Sequence, residues 1–552
     1  MDWRRGASSN GRHFRSDRRK VHGSDFPSVP RNPPDFDHFA GSIGATQRRR
    51  WTLEIATLGS SNAPECHWPR CARVSASLCR AEGLAMPDSL DSPRPSSTLR
   101  RMLVPLALAQ FICSFAGSNM NVMINDISAD LGTTVQGVQT AITVFLLVMA
   151  AFMIPGGKLT DRWGRKRCFV LGLVLYGIGA LISAVSPNLG VLIIGNSILE
   201  GVGTALLIPP VYILTTMLFS DLTSRARAFG VITGMGGIGA AAGPLIGGVI
   251  TTGIDWRAAF VFQALIIGAI LVLSRGIVDP VPPDPARPFD AVGALLSAAG
   301  LVCLVMGILQ ADTDVVLMAI LVVVGALFIM GFLLYVRARE RAGKEPLLSL
   351  SLFRNRTSNL ALVTQNIQWL LLMGIAFVVS AFLQVVRGYN AIETGVIFTA
   401  ATAGILGASL VAERLTAKYP QRTLITAGFV TTLAGVGVLL LLVRAWTSAW
   451  AFTPGLLLIG IGLGTMLTPS VNVVQSAFAE ERQGEISGLS RCVSNLGSSL
   501  GTAVAGTVLV AGLTSPDRAY ALAMTVLAVL GLIGLVAALL LPGTPDRTPA
   551  PR

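Results

Sequence analysis

A carboxylic acid, Glu200, lies near the middle of a long apolar stretch of this chain. Ionised side chains are costly inside a membrane and usually serve a function there, and burial favours the neutral form of a carboxyl group. All four histidines (His13, His22, His38 and His67) precede residue 100, so a proton-transfer step in the apolar body would need a carboxylate. Glu200 could carry a proton or pair with a cationic substrate. The alternative is a neutral, hydrogen-bonded glutamate that only packs helices.

Other polar residues also interrupt apolar stretches. Arg491 is a candidate for substrate contact, although its long side chain could simply extend to the membrane surface, which is the simpler interpretation. Carboxamides occur at Asn121 and Asn125, and again in the corresponding stretch of the second half, at Gln365 and Asn366. They could line a polar cavity between the halves or form hydrogen bonds between helices, worth about 1 kcal/mol each in a membrane.

A glycine-rich stretch over residues 234–248 contains Gly239, Gly243, Pro244, Gly247 and Gly248. Glycines four residues apart form a flat helix face on which another helix packs closely. Pro244 removes a backbone hydrogen bond, so we expect a kink there. Ordinary packing of small residues would need Gly-x-x-x-Gly, but not the proline and the glycine pair.

A short segment, residues 157–167, carries five lysines and arginines and one acid, Asp161. Its charge predicts a cytoplasmic loop between two apolar stretches. The glycines allow a tight connection between helices, and the acid can form charge-assisted hydrogen bonds with the cations around it. We expect a gating loop formed by Gly157, Asp161, Arg162, Gly164, Arg165 and Lys166.

The elements that position these residues must span a membrane. The chain has 552 residues, a mean hydropathy of +0.64 and 13% charged residues, which is typical of a polytopic membrane protein. The net charge of +13 does not indicate nucleic-acid binding, because residues 1–101 and predicted cytoplasmic loops hold most of it. The seven cysteines fit neither a disulfide framework nor a zinc pattern, so we expect no metal site.

Residues 1–100 are polar, rich in Arg, Ser and Pro, and lack hydrophobic periodicity. We expect this N-terminal extension to be disordered and not to be a signal peptide. Met86 precedes a short polar lead that would suit a cytoplasmic start, so the true start could lie near Met86. We assign no function to the residues before it.

From Met102 the chain alternates apolar stretches with short loops, and we count fourteen stretches. With the first loop outside, internal loops and the tail hold 21 lysines and arginines, and external loops hold four. This bias supports fourteen spans with both termini in the cytoplasm. A proline-rich segment at 279–288 divides the chain. The predicted organisation after the extension is a six-helix bundle (101–277), a linker with two additional helices (278–356), a second six-helix bundle (357–541) and a cytoplasmic tail (542–552).

The basic segment resembles the signature loop between helices 2 and 3 of the major facilitator superfamily. The six-plus-two-plus-six layout is similar to the fourteen-span drug:proton antiporter branch, and the pattern from Gly239 to Gly248 resembles its antiporter motif. The resemblance implies that the two six-helix halves form the transporter, with a site near mid-membrane. It also implies that the loop acid pairs with arginines and a neighbouring helix end, and that a proton gradient supplies the energy without a bound cofactor.

The chain departs from that family at the residues expected to couple protons. Many fourteen-span members carry an acid in the first span, where this chain has Ala116. Many also have Arg-x-x-Gln-Gly in the fourth span. This chain has Ser197 in place of the arginine and Glu200 in place of the glutamine, followed by Gly201. The departure leaves the coupling residue open, and Glu200 is the candidate to take over that role.

The expected function is proton-coupled export of hydrophobic or cationic drugs or metabolites across the cytoplasmic membrane, by alternating access in a monomer. The expected partners are a small-molecule substrate, protons and the lipid bilayer. The alternatives are an uptake permease or symporter of the same fold, or a transporter-like sensor. An enzyme is not expected, because the sequence has no phosphate-binding loop and no histidine in its apolar body.

Overall fold

The structure of the protein is a computed structural model. All regular secondary structure in its described part is helical. It describes residues 97–542 apart from short gaps at 220–221, 280–282, 286–287, 311–313, 417, 447, 479–482 and 511–514. The predictions for the extension over 1–100, for a start near Met86 and for the tail over 542–552 lie almost entirely outside these residues.

Six long helices form the first half of the described chain. They are α1 Ser97–Asn119, α2 Val135–Trp163, α3 Arg165–Ala184, α4 Leu189–Leu218, α5 Leu222–Gly253 and α6 Trp256–Leu273. Within α4, Ile193–Glu200 is π-helical. Such segments are rare and frequently occur at functional sites.

Two central helices and six further helices follow in the described part of the chain. They are α7 Ala291–Leu309, α8 Val315–Arg341, α9 Arg356–Ala381, α10 Ala391–Thr416, α11 Gln421–Ala445, α12 Thr453–Ser476, α13 Gln483–Val510 and α14 Pro516–Leu539. A second π-helical segment, Phe382–Val386, extends α9.

The residues that precede the helices explain where several of them begin. Side chains that accept a hydrogen bond from a first-turn backbone N–H include those of Thr134, Asn188, Asp255, Asp290, Asp314, Asn355 and Asn390. The first N–H groups of a helix have no partner within it, so such side chains stabilise the start.

Within the described residues, thirteen helices are long and apolar enough to cross a membrane, and the two arms of α5 together make a fourteenth. The arms, Gly230–Ala240 and Ala242–Gly253, meet at 41°. The bend lies one turn before Pro244, whose ring removes the hydrogen bond to the carbonyl of residue 240. The predicted kink is therefore confirmed, and so is the all-α membrane fold.

The helix ends lie on two sides of the molecule. We call the side that carries the α2–α3 connection the Asp161 side, and the side that carries the α1–α2 connection the Asn125 side. Because successive spans run in opposite directions, the α4–α5 connection lies on the Asp161 side and the α5–α6 connection lies on the Asn125 side.

The two halves contact each other through two helix pairs, α2 with α13 and α5 with α10. On α2, Gln139 Nε2 donates to the carbonyl oxygens of Thr502 and Ala503 on α13, at 3.2 and 3.1 Å. In the other pair, a Cβ atom added to Gly248 would lie 2.5 Å from the carbonyl oxygen of Ala391. The backbones of α5 and α10 are therefore in direct contact.

The central pair lies on the outside of the α2–α13 seam. Val305 and Leu309 of α7 form a small apolar cluster with Leu147 of α2 and Ala503 of α13. The next helix, α8, packs on α7, and only 11% of its most apolar 18-residue stretch is buried. Most of α8 is therefore available to lipid.

Candidate functional site

The predicted gating loop is mostly helical. Helix α2 continues through Trp163, and a single residue, Gly164, connects it to α3 with a φ of 94°. Residues with a Cβ atom rarely adopt this φ, so glycine is required there. Gly157 lies inside α2, where an added Cβ would make only an ordinary contact, 3.8 Å from Pro209. The tight connection therefore depends on Gly164, and the expectation that Gly157 contributes to it is corrected.

Asp161 forms its ion pair across this connection. Its carboxylate lies 3.1 Å from the Arg165 guanidinium, whose side chain is only 9% exposed. Arg162 lies beside the pair and is half-buried. Lys158 pairs instead with Glu345, in the segment that follows α8, at 3.1 Å. The pairing of the loop acid with an arginine is thus present, and the basic loop also contacts the central linker.

A second acid, Asp279, binds the start of α3. Its Oδ2 atom accepts hydrogen bonds from the backbone N–H groups of Arg165 at 2.6 Å and Lys166 at 3.3 Å. Lys166 Nζ donates to the carbonyl oxygen of Arg275, 3.1 Å away. The unpaired N–H groups and the dipole of a helix favour a negative charge at its first turn. Sequence reasoning missed Asp279, since the signal was indirect: Gly164 has no side chain to cap α3.

Asp290 is another acid that sequence reasoning missed, and it is almost fully buried at the start of α7. It accepts hydrogen bonds from Gly293 N at 3.0 Å, Leu347 N at 3.1 Å and Tyr335 Oη at 3.1 Å. Arg339 Nε lies 3.7 Å from its carboxylate. This cluster fixes the segment after α8 against the start of α7, on the Asp161 side.

The glycine face of α5 packs on α1 of the same half. A Cβ atom added to Gly239 would collide with the carbonyl oxygen of Phe111, and one added to Gly243 would collide with Ser118 Oγ. At Gly247 the added atom would lie 3.1 Å from Asn119 Cβ. Glycines at spacing four therefore bring the two helices together as predicted from the pattern.

The opposite face of α5 packs on α10 of the other half. Gly248 faces the carbonyl oxygen of Ala391, and Gly395 of α10 faces the carbonyl oxygen of Pro244. The kinked arm of α5 is thus held between its own half and the second half. Pro244 and Gly248 lie in the seam between them.

Glu200 ends the π-helical segment of α4, and its side chain is fully buried. It points towards α3, where a Cβ atom added to Gly179 would lie 2.9 Å from Glu200 Cγ. Tyr176 and Ser183 of α3 lie near its carboxyl group. However, Tyr176 donates its hydroxyl hydrogen to Gln263 Oε1, and Ser183 donates to the Gly179 carbonyl.

Neither carboxyl oxygen of Glu200 has a hydrogen-bond partner among the described residues. Burial of an unpaired polar group is costly, and the cost is far larger for an ionised carboxylate. The group lies inside the first half, away from the α2–α13 and α5–α10 seams. In this structure the carboxyl group of Glu200 is therefore not held by a hydrogen bond, although the hydroxyls of Tyr176 and Ser183 lie close to it.

Arg491 contacts the other half of the molecule. Its guanidinium lies over the ring of Tyr212 on α4, 4.9 Å from the ring centroid, and donates to the Tyr212 hydroxyl. That hydroxyl donates to Gln110 Oε1 on α1 at 3.2 Å, and Gln110 Nε2 donates to Ser114 Oγ at 3.2 Å. The expectation that Arg491 extends to the membrane surface is therefore corrected. Sequence reasoning missed Tyr212 and Gln110, for which spacing gave no signal.

The predicted amides of α9 bind α13. Gln365 Nε2 donates to Ser494 Oγ, and Gln365 Oε1 accepts from Ser490 Oγ, both at 2.9 Å. Asn366 Nδ2 donates to the carbonyl oxygen of Val493 at 2.9 Å. In this structure both amides form hydrogen bonds between helices of the second half, which is the second of the two roles considered for them.

Asn121 and Asn125, which follow α1, contact the other half through their backbone atoms. Gln384, in the extension of α9, donates to the carbonyl oxygen of Asn121 at 2.8 Å and accepts from the backbone N–H of Asn125 at 3.1 Å. The Ser380 hydroxyl donates to the same carbonyl oxygen of Asn121. Asn121 is buried, whereas the side chain of Asn125 is exposed. The backbone at these positions, with Gln384, joins the halves on the Asn125 side.

Two acids lie beyond α1 on the Asn125 side. Asp130 lies 2.5 Å from Arg257 Nη1 and accepts from Trp256 Nε1 at 3.2 Å. Asp126 is half-buried, and burial, together with repulsion from Asp255, raises the pKa of its carboxyl group. Asp130 therefore holds the start of α6, and Asp126 is an alternative titratable acid outside the spans.

A family model described as Major Facilitator Superfamily matches residues 106–502 and, in a second match, 362–552. The chain belongs to this superfamily. It is 29% identical over 411 residues to the puromycin resistance protein pur8 of Streptomyces alboniger, covering 74% of this chain and 81% of the relative. It is 28% identical over 420 residues to the multidrug resistance protein Stp of Mycobacterium tuberculosis, covering 75% and 76%. A crystal structure of a peptide transporter POT in complex with sulfate shares the fold, with a TM-score of 0.59, 17% identity and coverage of 79% and 94%.

These comparisons establish the class of protein. The chain is a multi-pass membrane transporter of the Major Facilitator Superfamily, and curated relatives carry drug or multidrug resistance in their names. Transport by this family implies a small-molecule substrate and a position in the lipid bilayer.

Proposed function

We propose that the protein exports hydrophobic or cationic drugs or metabolites across the cytoplasmic membrane in exchange for protons, by alternating access. The observation that carries the proposal is the kinked glycine face of α5, which packs on α1 through Gly239 and on α10 through Gly248. This pattern resembles the antiporter motif of exporters. The names of two relatives, which are resistance proteins, support the same direction of transport.

The structure suggests how the two halves could rock. Towards the Asn125 side the halves meet through backbone packing of Gly248 on the carbonyl oxygen of Ala391, and the Gln384 side chain donates to the carbonyl oxygen of Asn121. On the Asp161 side, the contact at Arg491 and Tyr212 is formed by side chains. Side-chain contacts can break without a change of backbone packing, so we infer that this conformation is closed on the Asn125 side and is the more easily opened on the Asp161 side.

Proton coupling is assigned to Glu200. A carrier must bind a proton in one state and release it in the other, so its surroundings must differ between the two states. Glu200 is sealed from solvent here and ends a π-helical segment, where a local change of helix register would alter its exposure. The proposal gives the protein no bound cofactor, with the proton gradient as its energy source.

The proposed orientation places the Asp161 side in the cytoplasm. The basic segment around the α2–α3 connection lies on this side, and so does the basic stretch Arg337–Arg356, which runs from the end of α8 to the start of α9, as the positive-inside rule requires. Both termini are then cytoplasmic. We propose a monomer in the inner, cytoplasmic membrane, because each half already contributes helices to both seams.

The test uses inside-out membrane vesicles that contain the full chain and a panel of fluorescent toxic compounds. An imposed pH gradient, acidic inside, should drive accumulation of at least one compound, and an uncoupler should abolish it. Accumulation in right-side-out vesicles instead would identify an uptake permease. Binding without movement in either orientation would identify a sensor.

Glu200→Gln separates coupling from transport. Glutamine keeps the shape of the side chain but cannot titrate, so it should abolish uphill accumulation while preserving downhill exchange. Glu393→Gln is the matched control, because Glu393 lies at the start of α10 and, among the described residues, its carboxylate accepts a local hydrogen bond alone, from Asn390 N at 2.9 Å. Full pH-driven accumulation by Glu200→Gln would remove Glu200 from the coupling mechanism and direct attention to Asp126 or another coupling ion.

A further inference from the structure

The contact between Arg491 and Tyr212 lies inside the membrane-spanning part of the chain. Arg491 is six residues from Glu485, where its span begins, and Tyr212 is six residues before Leu218, where α4 ends. Six residues of helix rise about 9 Å. Both spans are longer than a hydrocarbon core of roughly 30 Å requires, so both side chains start in the outer part of that core, on the Asp161 side.

Arg491 is a cation without an acidic partner among the described residues. No described carboxylate lies within 4.0 Å of its guanidinium, and its contacts are the ring and the hydroxyl of Tyr212. The buried carboxyl group of Glu200 points towards α3, away from this seam. A half-buried charge at this depth is expensive and is usually retained for a function.

The surroundings of Arg491 suit an aromatic anion. A guanidinium binds a carboxylate through two parallel hydrogen bonds and also stacks on flat rings. The Tyr212 ring stacks with the guanidinium, 4.9 Å from its centroid, and would supply a flat surface to an aromatic compound once that contact opens. Gln110 and Ser114 extend the polar contacts from Tyr212 along α1, towards the middle of the membrane.

We propose that Arg491 and Tyr212 form the recognition site for an anionic aromatic substrate, an aromatic carboxylate or phenolate. The inference rests on the proposed transport function and assigns its substrate to aromatic anions, in place of the cationic compounds expected from the sequence. A bound carboxylate replaces the Tyr212 hydroxyl as the partner of the guanidinium. Binding therefore releases a contact that joins the halves on the Asp161 side, which links occupancy of the site to its opening.

The test measures binding by the purified full chain in nanodiscs to three probes with one ring system: pyrenebutyrate, its neutral methyl ester and the cationic pyrenylbutylamine. Binding is followed by energy transfer from tryptophan to pyrene, with empty nanodiscs subtracted. We expect the wild-type protein to bind the acid about tenfold or more tightly than the other two probes, since a charge-assisted hydrogen bond contributes at least that factor.

Substitutions of Arg491 decide whether the preference comes from this site. Arg491→Gln should weaken binding of the acid about 10- to 100-fold and leave binding of the ester unchanged, which also shows that the variant is folded. Arg491→Lys should recover part of the loss, because it keeps the charge but not the planar fork. The matched control is Arg387→Gln, since Arg387 lies over the Phe382 ring at 5.4 Å on the Asn125 side. It should not change the affinity for the acid.

Two results would overturn the proposal. One is a wild-type protein that does not prefer the acid. The other is an Arg491→Gln variant that loses affinity for the acid and the ester equally, because then Arg491 only holds the halves together. The binding assay does not depend on transport. Selective binding of the acid in a protein that moves no compound in vesicles would refute export while supporting the site.

Discussion

Asp279→Ala should loosen the start of α3 by a measurable amount. The carboxylate accepts hydrogen bonds from Arg165 N at 2.6 Å and Lys166 N at 3.3 Å, and Gly164 offers no cap of its own. Loss of an N-cap side chain costs about 0.5–2 kcal/mol, and the charge at the helix dipole contributes about 0.3–1 kcal/mol of stabilisation at such a position. We therefore expect a local loss of about 1–2 kcal/mol for Asp279→Ala. Asp279→Asn should lose about half of that, because the amide oxygen still accepts.

Hydrogen exchange followed by mass spectrometry measures this effect at the right place. A loss of about 1–2 kcal/mol in the opening free energy makes the amides of the first turn of α3 exchange about 5- to 30-fold faster. Asp314→Ala is the matched control, because Asp314 caps its own helix at Val316 N and Leu317 N, both at 2.9 Å. It should speed exchange at the start of α8 and leave α3 unchanged. Unchanged exchange at residues 165–168 in Asp279→Ala would refute the assignment of Asp279 as the cap.

Three further predictions concern gating, packing and topology. Asp161→Asn removes the charge that pairs with Arg165 at 3.1 Å, so transport in vesicles should fall while the protein stays in the membrane; wild-type rates would remove the loop from the mechanism. Gly239→Val places side-chain atoms against the Phe111 carbonyl and should lower the thermal midpoint in detergent, whereas Gly253→Val meets open space and should not; equal midpoints would show that α1 and α5 are not closely packed. Tags fused after Arg552 and next to Gly388 should be labelled from opposite sides of the membrane, and labelling from one side would refute fourteen spans.

The fold could be predicted from the sequence because its determinants are local. Each span is a continuous apolar stretch, and the charge of the loops sets their alternation. The kink of α5 follows from Pro244, four residues after the carbonyl that it leaves without a donor. The Asp161–Arg165 pair likewise joins two residues only four positions apart in sequence. The sequence pattern therefore predicts features whose cause and effect lie within a few residues of each other.

The arrangement of the candidate site depended on contacts far apart in sequence. Arg165 and Asp279 are separated by 114 residues, and Arg491 and Tyr212 by 279. A single sequence does not fix the rotation of one helix about its axis relative to another. The direction of Glu200 illustrates this, because the π-helical segment of α4 changes the register of the face that it presents. Its depth could be predicted, but not that it faces α3.

The two proposed sites are linked by one helix. Glu200 and Tyr212 are twelve residues apart on α4, which corresponds to about 18 Å, so a proton and a substrate anion cannot compete for the same group. Pro209 and Pro210 lie between them and remove two backbone hydrogen bonds, which makes this part of α4 easier to bend. Coupling must then act through the position of α4. Under the proposed mechanism, a change of exposure at Glu200 would shift Tyr212 relative to Arg491, and by thermodynamic reciprocity occupancy of Arg491 would shift the proton affinity of Glu200.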